Sequence, residues 1–137
     1  MLDLNEFKTS LADSGAKMPV RHPVTDSDVD GVFVVLLGLD SDLARSIERK
    51  KAQRMIDRLS RGKGKAPALD ADVLTAQAID ELVELTVSVE GLQMDGKEIG
   101  KDKVMIKSAY EQYTWLADQA REFIGDRSNF FGKPKKG

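Results

Sequence analysis

Cysteine is absent from this chain of 137 residues. That removes disulfides and thiol chemistry and is compatible with a reducing cytosol. Histidine occurs once, at His22, and without HxxxH or CxxC spacing it leaves no ordinary zinc ligand set. Long apolar runs are missing too. The longest, Val32 to Leu37, falls far below the roughly 20 residues that a membrane-spanning helix needs. The opening LDLNEF carries no basic stretch followed by an apolar one, so no secretion signal is expected there. Charge of one sign is not in excess either. A net charge of -2 gives no overall pull toward nucleic acid or membrane. No internal repeat is visible.

Motifs of catalysis are equally scarce. Ser41 in Gly38-Leu39-Asp40-Ser41-Asp42 lacks the G-x-S-x-G frame of a nucleophile elbow and reads as a helix cap. The stretch GKGKAP lacks the spacing of a phosphate-binding loop. Asp26, Asp28 and Asp30 followed by Gly31 match the opening of a calcium loop, but its twelfth position is Leu37 where a bidentate glutamate is required. A solvated acidic turn is the better reading. No enzyme, cofactor or metal site is expected.

What is present is enough for one domain over residues 1–131 with a real core, followed by a basic tail at 132–137. The fold class expected is α+β, mainly α-helical, with an N-terminal β-hairpin packed on a small helical bundle. A short helix over Asp3–Leu11, capped by Asp3 and burying Phe7 and Leu11, ends at Ser14-Gly15. Strands at Lys17–Val20 and Val32–Leu37 flank a polar turn at Thr25–Gly31. Asp40 or Ser41 caps a helix over about 43–59 whose apolar positions include Leu43, Ala44, Ile47, Met55, Ile56 and Leu59. A mobile linker follows at about 60–69, then a helix over about 72–87 capped by Asp70 or Asp72, with Leu74, Ala78, Leu82 and Leu85 as its stripe. Its last residues, TVSVE, alternate like a strand. Asp95-Gly96 marks a turn, Asp102 caps a short helix, and a last helix runs to about Ile124, burying Ala109, Tyr113, Leu116, Ala120 and Phe123.

Two surfaces stand out. Arg45, Arg49, Lys50, Lys51, Arg54, Arg58, Arg61, Lys63 and Lys65 form a basic run offset only by Glu48 and Asp57. It could neutralise phosphates, yet no aromatic interleaves it for base stacking. A solvated face, or a docking surface for an acidic protein partner, is the better reading. Six of the eight aromatics fall in the last third. Phe130 and Phe131 follow the helix stop at Gly125, and either fold back as a plug or anchor a partner.

Three pieces also occur in a telling order. A hairpin ends in Gly38-Leu39-Asp40-Ser41 and leads into a basic helix; an apolar helix runs into Asp95-Gly96-Lys97; and a helix with Trp115-Leu116 and Gln119 ends in F-I-x-D-R-S-N-F, Phe123 to Phe130. Over roughly residues 15–131 this resembles the tail assembly chaperones of long-tailed bacteriophages. One departure is Val89-Glu90-Gly91, where many relatives carry a tryptophan. The resemblance implies a non-catalytic protein that coats and solubilises the tape measure protein and helps recruit tail tube protein. It would act in the host cell cytoplasm and be absent from the mature virion. It also implies a longer, frameshifted form of the chain. The hairpin edge offers a pairing surface for a homo-oligomer. The expected partner surface lies between the two long helices and the Trp115 helix, with Leu82, Leu85, Trp115, Leu116, Phe123, Phe130 and Phe131 as candidates. The alternative is a small nucleic-acid-associated regulator using the basic helix 45–65, with Arg45, Arg49, Lys50, Arg54 and Arg58 as its face.

Overall fold

A computed structural model describes residues 1, 3–4, 8, 10–61 and 71–131. A single helical turn, α1 (Leu11–Ser14), buries Ala12 and closes on Gly15. Part of the helix expected over Asp3–Leu11, Phe7 included, lies outside the described residues, and the helical turn that is described begins only at Leu11. β1 (Ala16–Arg21) then buries Ala16, Met18 and Val20 while Lys17 and Pro19 stay exposed, the two-residue alternation of a strand with one covered face.

The connection to β2 (Asp28–Leu36) is organised by the sole histidine. His22 Nδ1 accepts from the backbone N–H of Val24 and Thr25, at 3.1 and 3.3 Å. Its own N–H and C=O close the turn with Ser27 and Asp26. The polar turn is therefore shorter than the expected Thr25–Gly31. Asp28 and Asp30 belong to β2, because the pairing of Arg21 with Asp28 extends the ladder past what side-chain preference alone indicates.

The hairpin is half of a larger structure. α2 (Asp42–Arg61) and α3 (Ala71–Leu85) follow, and α3 passes without a loop into β3 (Thr86–Met94), which turns into β4 (Lys97–Gly100). The sheet is four-stranded and antiparallel in the order β1-β2-β3-β4. The expected helix over 72–87 thus stops at Leu85, and TVSVE is strand. The physical reason is a switch of partners. Leu85 C=O accepts from Leu37 N–H at 2.8 Å, opening the ladder. Thr86 Oγ1 lies 2.7 Å from Leu82 O and 2.8 Å from the Tyr110 hydroxyl. Lys103 Nζ donates to the carbonyls of Val83 and Thr86, satisfying acceptors that a helix end leaves free. Partial burial lowers the Lys103 pKa, while Glu84 opposes the shift.

Asp95-Gly96 is the β3–β4 hairpin turn. Both residues have positive φ, 55° and 79°, as the tightest hairpin turn requires. Asp102 caps α4 (Lys103–Gln112), accepting from Val104 and Met105 N–H. Tyr113 then breaks the chain direction (φ -116°, ψ 76°) before α5 (Thr114–Gly125). This break corrects the expected buried stripe. Ala109, Leu116 and Ala120 are buried, Phe123 is half-buried and Tyr113 is exposed, while Ile106, Tyr110, Ala117 and Ile124 fill the core. A 3-10 helix, Arg127–Phe130, is the last element described. One face of the sheet packs on α4, α5 and the C-terminal end of α3. Buried there are Val34, Leu36, Val89 and Ile99 against Ile106, Tyr110 and Leu116, each large apolar side chain contributing roughly 1.5–3 kcal/mol.

Ser60 and Arg61, placed in a linker from the sequence, continue α2. The rest of that linker, the Asp70 cap, Lys63, Lys65 and the 132–137 tail lie outside the described residues. Among the described residues, no helix is long and apolar enough to cross a membrane.

Candidate protein-docking groove

Sequence motifs far apart in the chain meet at one corner of the molecule. Gly38 ends β2, and a Cβ there would lie 2.9 Å from the Phe130 ring and 3.0 Å from Ala12 Cβ. Only glycine lets the ring seat. Asp40 accepts from Arg127 Nε, at 3.2 Å and 3.1 Å to its two oxygens. Ser41 is fully buried: its Oγ donates to Gly38 O at 2.6 Å and accepts from Ala44 N–H at 3.1 Å, capping α2.

The other half of the lock is self-ordered. Asp126 accepts from Ser128 Oγ at 2.6 Å and Ser128 N–H at 3.0 Å. These bonds hold its carboxyl below the usual range, hydroxyl contact first. Asn129 Nδ2 donates to Phe123 O at 3.0 Å. Phe130 packs edge-on against Phe123, with centroids 5.5 Å apart.

Beside this corner runs a groove with an apolar floor. Between α2 and α3 it is a cleft of about 350 Å³, lined by Leu39, Ala44, Ile47, Glu48, Glu81, Leu85 and Arg127. Between α3 and α5 it continues as a cleft of about 240 Å³ that shares Leu39, Glu81 and Leu85 and adds Ala78, Leu82, Arg121 and Ile124. Leu39 is 41% exposed and stands where the two clefts join. The rim is charged. Lys51 Nζ bridges Glu48 and Glu81 at 3.4 and 3.3 Å. Partial burial pulls the Lys51 pKa down, but the two carboxylates outweigh it and raise it overall. Arg121 pairs with Asp118 and Arg127 with Asp40.

The candidate residues from the sequence separate into distinct places. Leu82 and Leu85 are buried and form groove floor. Trp115 and Leu116 line a separate cleft of about 140 Å³ with Leu92, Met94, Ile99 and Tyr113. Phe123 lines a third, of about 300 Å³, beside Arg21 and Gln119. Phe130 is a core plug at 1% exposure, while Phe131 is exposed; of the two fates open to this pair, Phe130 takes the first. Arg45, Arg49, Lys50 and Arg54 are exposed on α2, and Arg58 is half-buried. Leu39, Ile124, Arg121 and Arg127 are groove residues that sequence reasoning did not select. Leu39 carried a signal, being the lone apolar side chain inside the polar turn GLDSD. Among the described residues, no cluster of three His, Asp or Glu side chains could hold a metal.

No protein-family model, no curated protein and no solved structure matches this chain.

Proposed function

We propose that this protein is a non-catalytic assembly chaperone of the phage-tail type that its motifs resemble, and that it receives helical segments of a tape measure protein in the groove between α2, α3 and α5. The observation that carries this is the groove itself: two joined clefts on an apolar floor of Leu39, Ile47, Leu85 and Ile124 with a charged rim. A long helix with an apolar seam aggregates when bare, and a groove of this chemistry shields it. Several modest contacts suit a partner that the tail tube later displaces. Recruitment of tail tube protein, action in the host cytoplasm and absence from the finished particle belong to the same proposal.

Co-expression with the candidate tape measure protein tests it. The partner becomes soluble and co-purifies with the wild-type chain. Leu39→Asp removes both effects without altering the circular dichroism spectrum, because Leu39 is exposed. Retained binding by a folded Leu39→Asp variant places the contact elsewhere.

A second proposal, a nucleic-acid-associated regulator, draws on one observation: Lys50, Arg54 and Arg58 recur every four residues on α2 with no ion-pair partner among the described residues. Salt separates the two. Phosphate-driven binding falls steeply with ionic strength, and apolar groove binding does not.

A further inference from the structure

α2 carries two different rows outside the core, and they point to different ligands. Of its residues only Ala44 and Ile47 are buried, both in its first two turns. Beyond them Met55 is 45%, Ile56 56% and Leu59 40% exposed. Arg45, Arg49, Ala52, Ile56 and Leu59 succeed one another at alternating steps of four and three residues, so they share one face of the helix, with Met55 beside it. Glu48, on the groove rim, precedes Ala52 by one turn and Met55 by two. The row therefore adjoins the groove and extends it outward. Lys50, Arg54, Arg58 and Arg61 form a second, wholly cationic row on a different face.

Charge decides the occupant of the first row. α2 holds seven Lys and Arg against three Asp and Glu, while α3 holds four carboxylates and no cation. Two of those α3 carboxylates are already engaged, Asp80 with Lys107 at 3.0 Å and Glu81 with Lys51 at 3.3 Å. Among the described residues no carboxylate pairs with Arg45 or Arg49. A second copy packed α2 on α2 would bring its own cations against these. A nucleic acid would leave Met55, Ile56 and Leu59 without an apolar partner.

We infer that the Arg45–Leu59 row docks an amphipathic protein helix, apolar where it meets Ala52, Met55, Ile56 and Leu59 and acidic where it meets Arg45 and Arg49. This deepens the helix-binding function proposed above and rests on it. The occupant runs from the groove out along α2, and its acidic turn sits at the groove end.

The test uses the full-length protein and two synthetic helical peptides sharing one leucine seam, one flanked by Glu and the other by Lys, in fluorescence anisotropy at low salt. The Glu peptide binds about tenfold tighter or better. Arg45→Glu with Arg49→Glu removes that preference, and Ile56→Asp removes binding. Lys50→Glu with Arg54→Glu, on the other row, leaves the equilibrium affinity within about threefold while lowering the association rate. Equal binding of both peptides overturns the inference, and so does binding of neither. If Leu39→Asp abolishes peptide binding while the Arg45/Arg49 double variant keeps its Glu preference, the inference falls and the groove stands. Competition by a single-stranded oligonucleotide that depends on Lys50 and Arg54 overturns it in favour of phosphate.

Discussion

The sheet with α4 and α5, and the outer parts of α2 and α3, are built on opposite terms. In the first region every strand and helix gives a face to one core, and its polar groups are spent on closing that core: Thr86 on Tyr110, Lys103 on the end of α3, Ser41 on the start of α2. In the second, two helices stand beside one another with apolar side chains in water, and the ion pair Lys51–Glu81 spans them. Helices of this kind draw little from tertiary packing, the main source of helix stability in proteins. The contrast shows where fold ends and surface begins, and it can be tested by substituting in each region and comparing cost.

The largest cost belongs to the corner where the motifs meet. Phe130→Ala empties a buried site beside Gly38 and Phe123, and the expected loss is about 3–5 kcal/mol in denaturant unfolding. A loss below about 1 kcal/mol would mean that the last turn is not part of the core.

Alkali probes the same region next. Burial pushes the Tyr110 hydroxyl up to about 12, with the hydrogen bond to Thr86 opposing. Its folded pKa lies above the unfolded value of about 10. The folded state therefore holds the proton longer, and this contribution is fully present below pH 10 and lost as pH rises toward 12. Its size is on the order of 2–3 kcal/mol. Tyr110→Phe flattens the fall in stability across that window, measured as the change in unfolding midpoint from pH 9 to pH 11.5. An unchanged slope would assign the fall to other groups.

Gln119 marks the border between core and edge. Its Oε1 accepts from Arg21 N–H and its Nε2 donates to Arg21 O, both at 2.9 Å, so a side chain imitates one residue of a neighbouring strand at the exposed edge of β1. Pro19 further along offers no N–H at all. Gln119→Ala costs about 1 kcal/mol and opens that edge for pairing between copies. Size-exclusion chromatography reads the second effect, and a variant that stays unchanged in elution shows that Pro19 suffices.

Much of this was legible beforehand, and the misses share a cause. The α+β class, the β1–β2 hairpin, the Ser41 and Asp102 caps and the Asp95-Gly96 turn all rest on local chemistry that short-range rules read well. The four-stranded sheet was missed because β3 begins in mid-helix pattern: Leu82 and Leu85 serve α3, and the chain changes partner only because Leu37 meets the Leu85 carbonyl and Tyr110 the Thr86 hydroxyl. Asp-Gly between two strands is also the strongest short hairpin signal, yet β4 is four residues long and too brief to show a period. For the site, the motif residues Gly38, Asp40, Ser41, Arg127 and Phe130 turn out to hold one another. Their spacing reported a fold lock, while the groove beside it is made of ordinary leucines and isoleucines whose exposure no sequence pattern records.

The smallest expected effect on stability is the one that sharpens the comparison most. Ile56 is 56% exposed in the middle of α2, and serine there surrenders little burial and only a few tenths of a kcal/mol of helix propensity. Ile56→Ser is therefore expected within about 0.5 kcal/mol of wild type. A buried isoleucine changed in the same way, such as Ile106 at 0% exposure, would lose several kcal/mol. A side chain that costs almost nothing to remove from the free protein has no reason in the fold to be apolar. If Ile56→Ser unfolds like wild type yet loses the helical partner, the outer part of α2 is surface made for binding. If it instead lowers stability by about 2 kcal/mol or more, Ile56 is covered in the free protein, and the division between a packed region and a bare one fails at its clearest point.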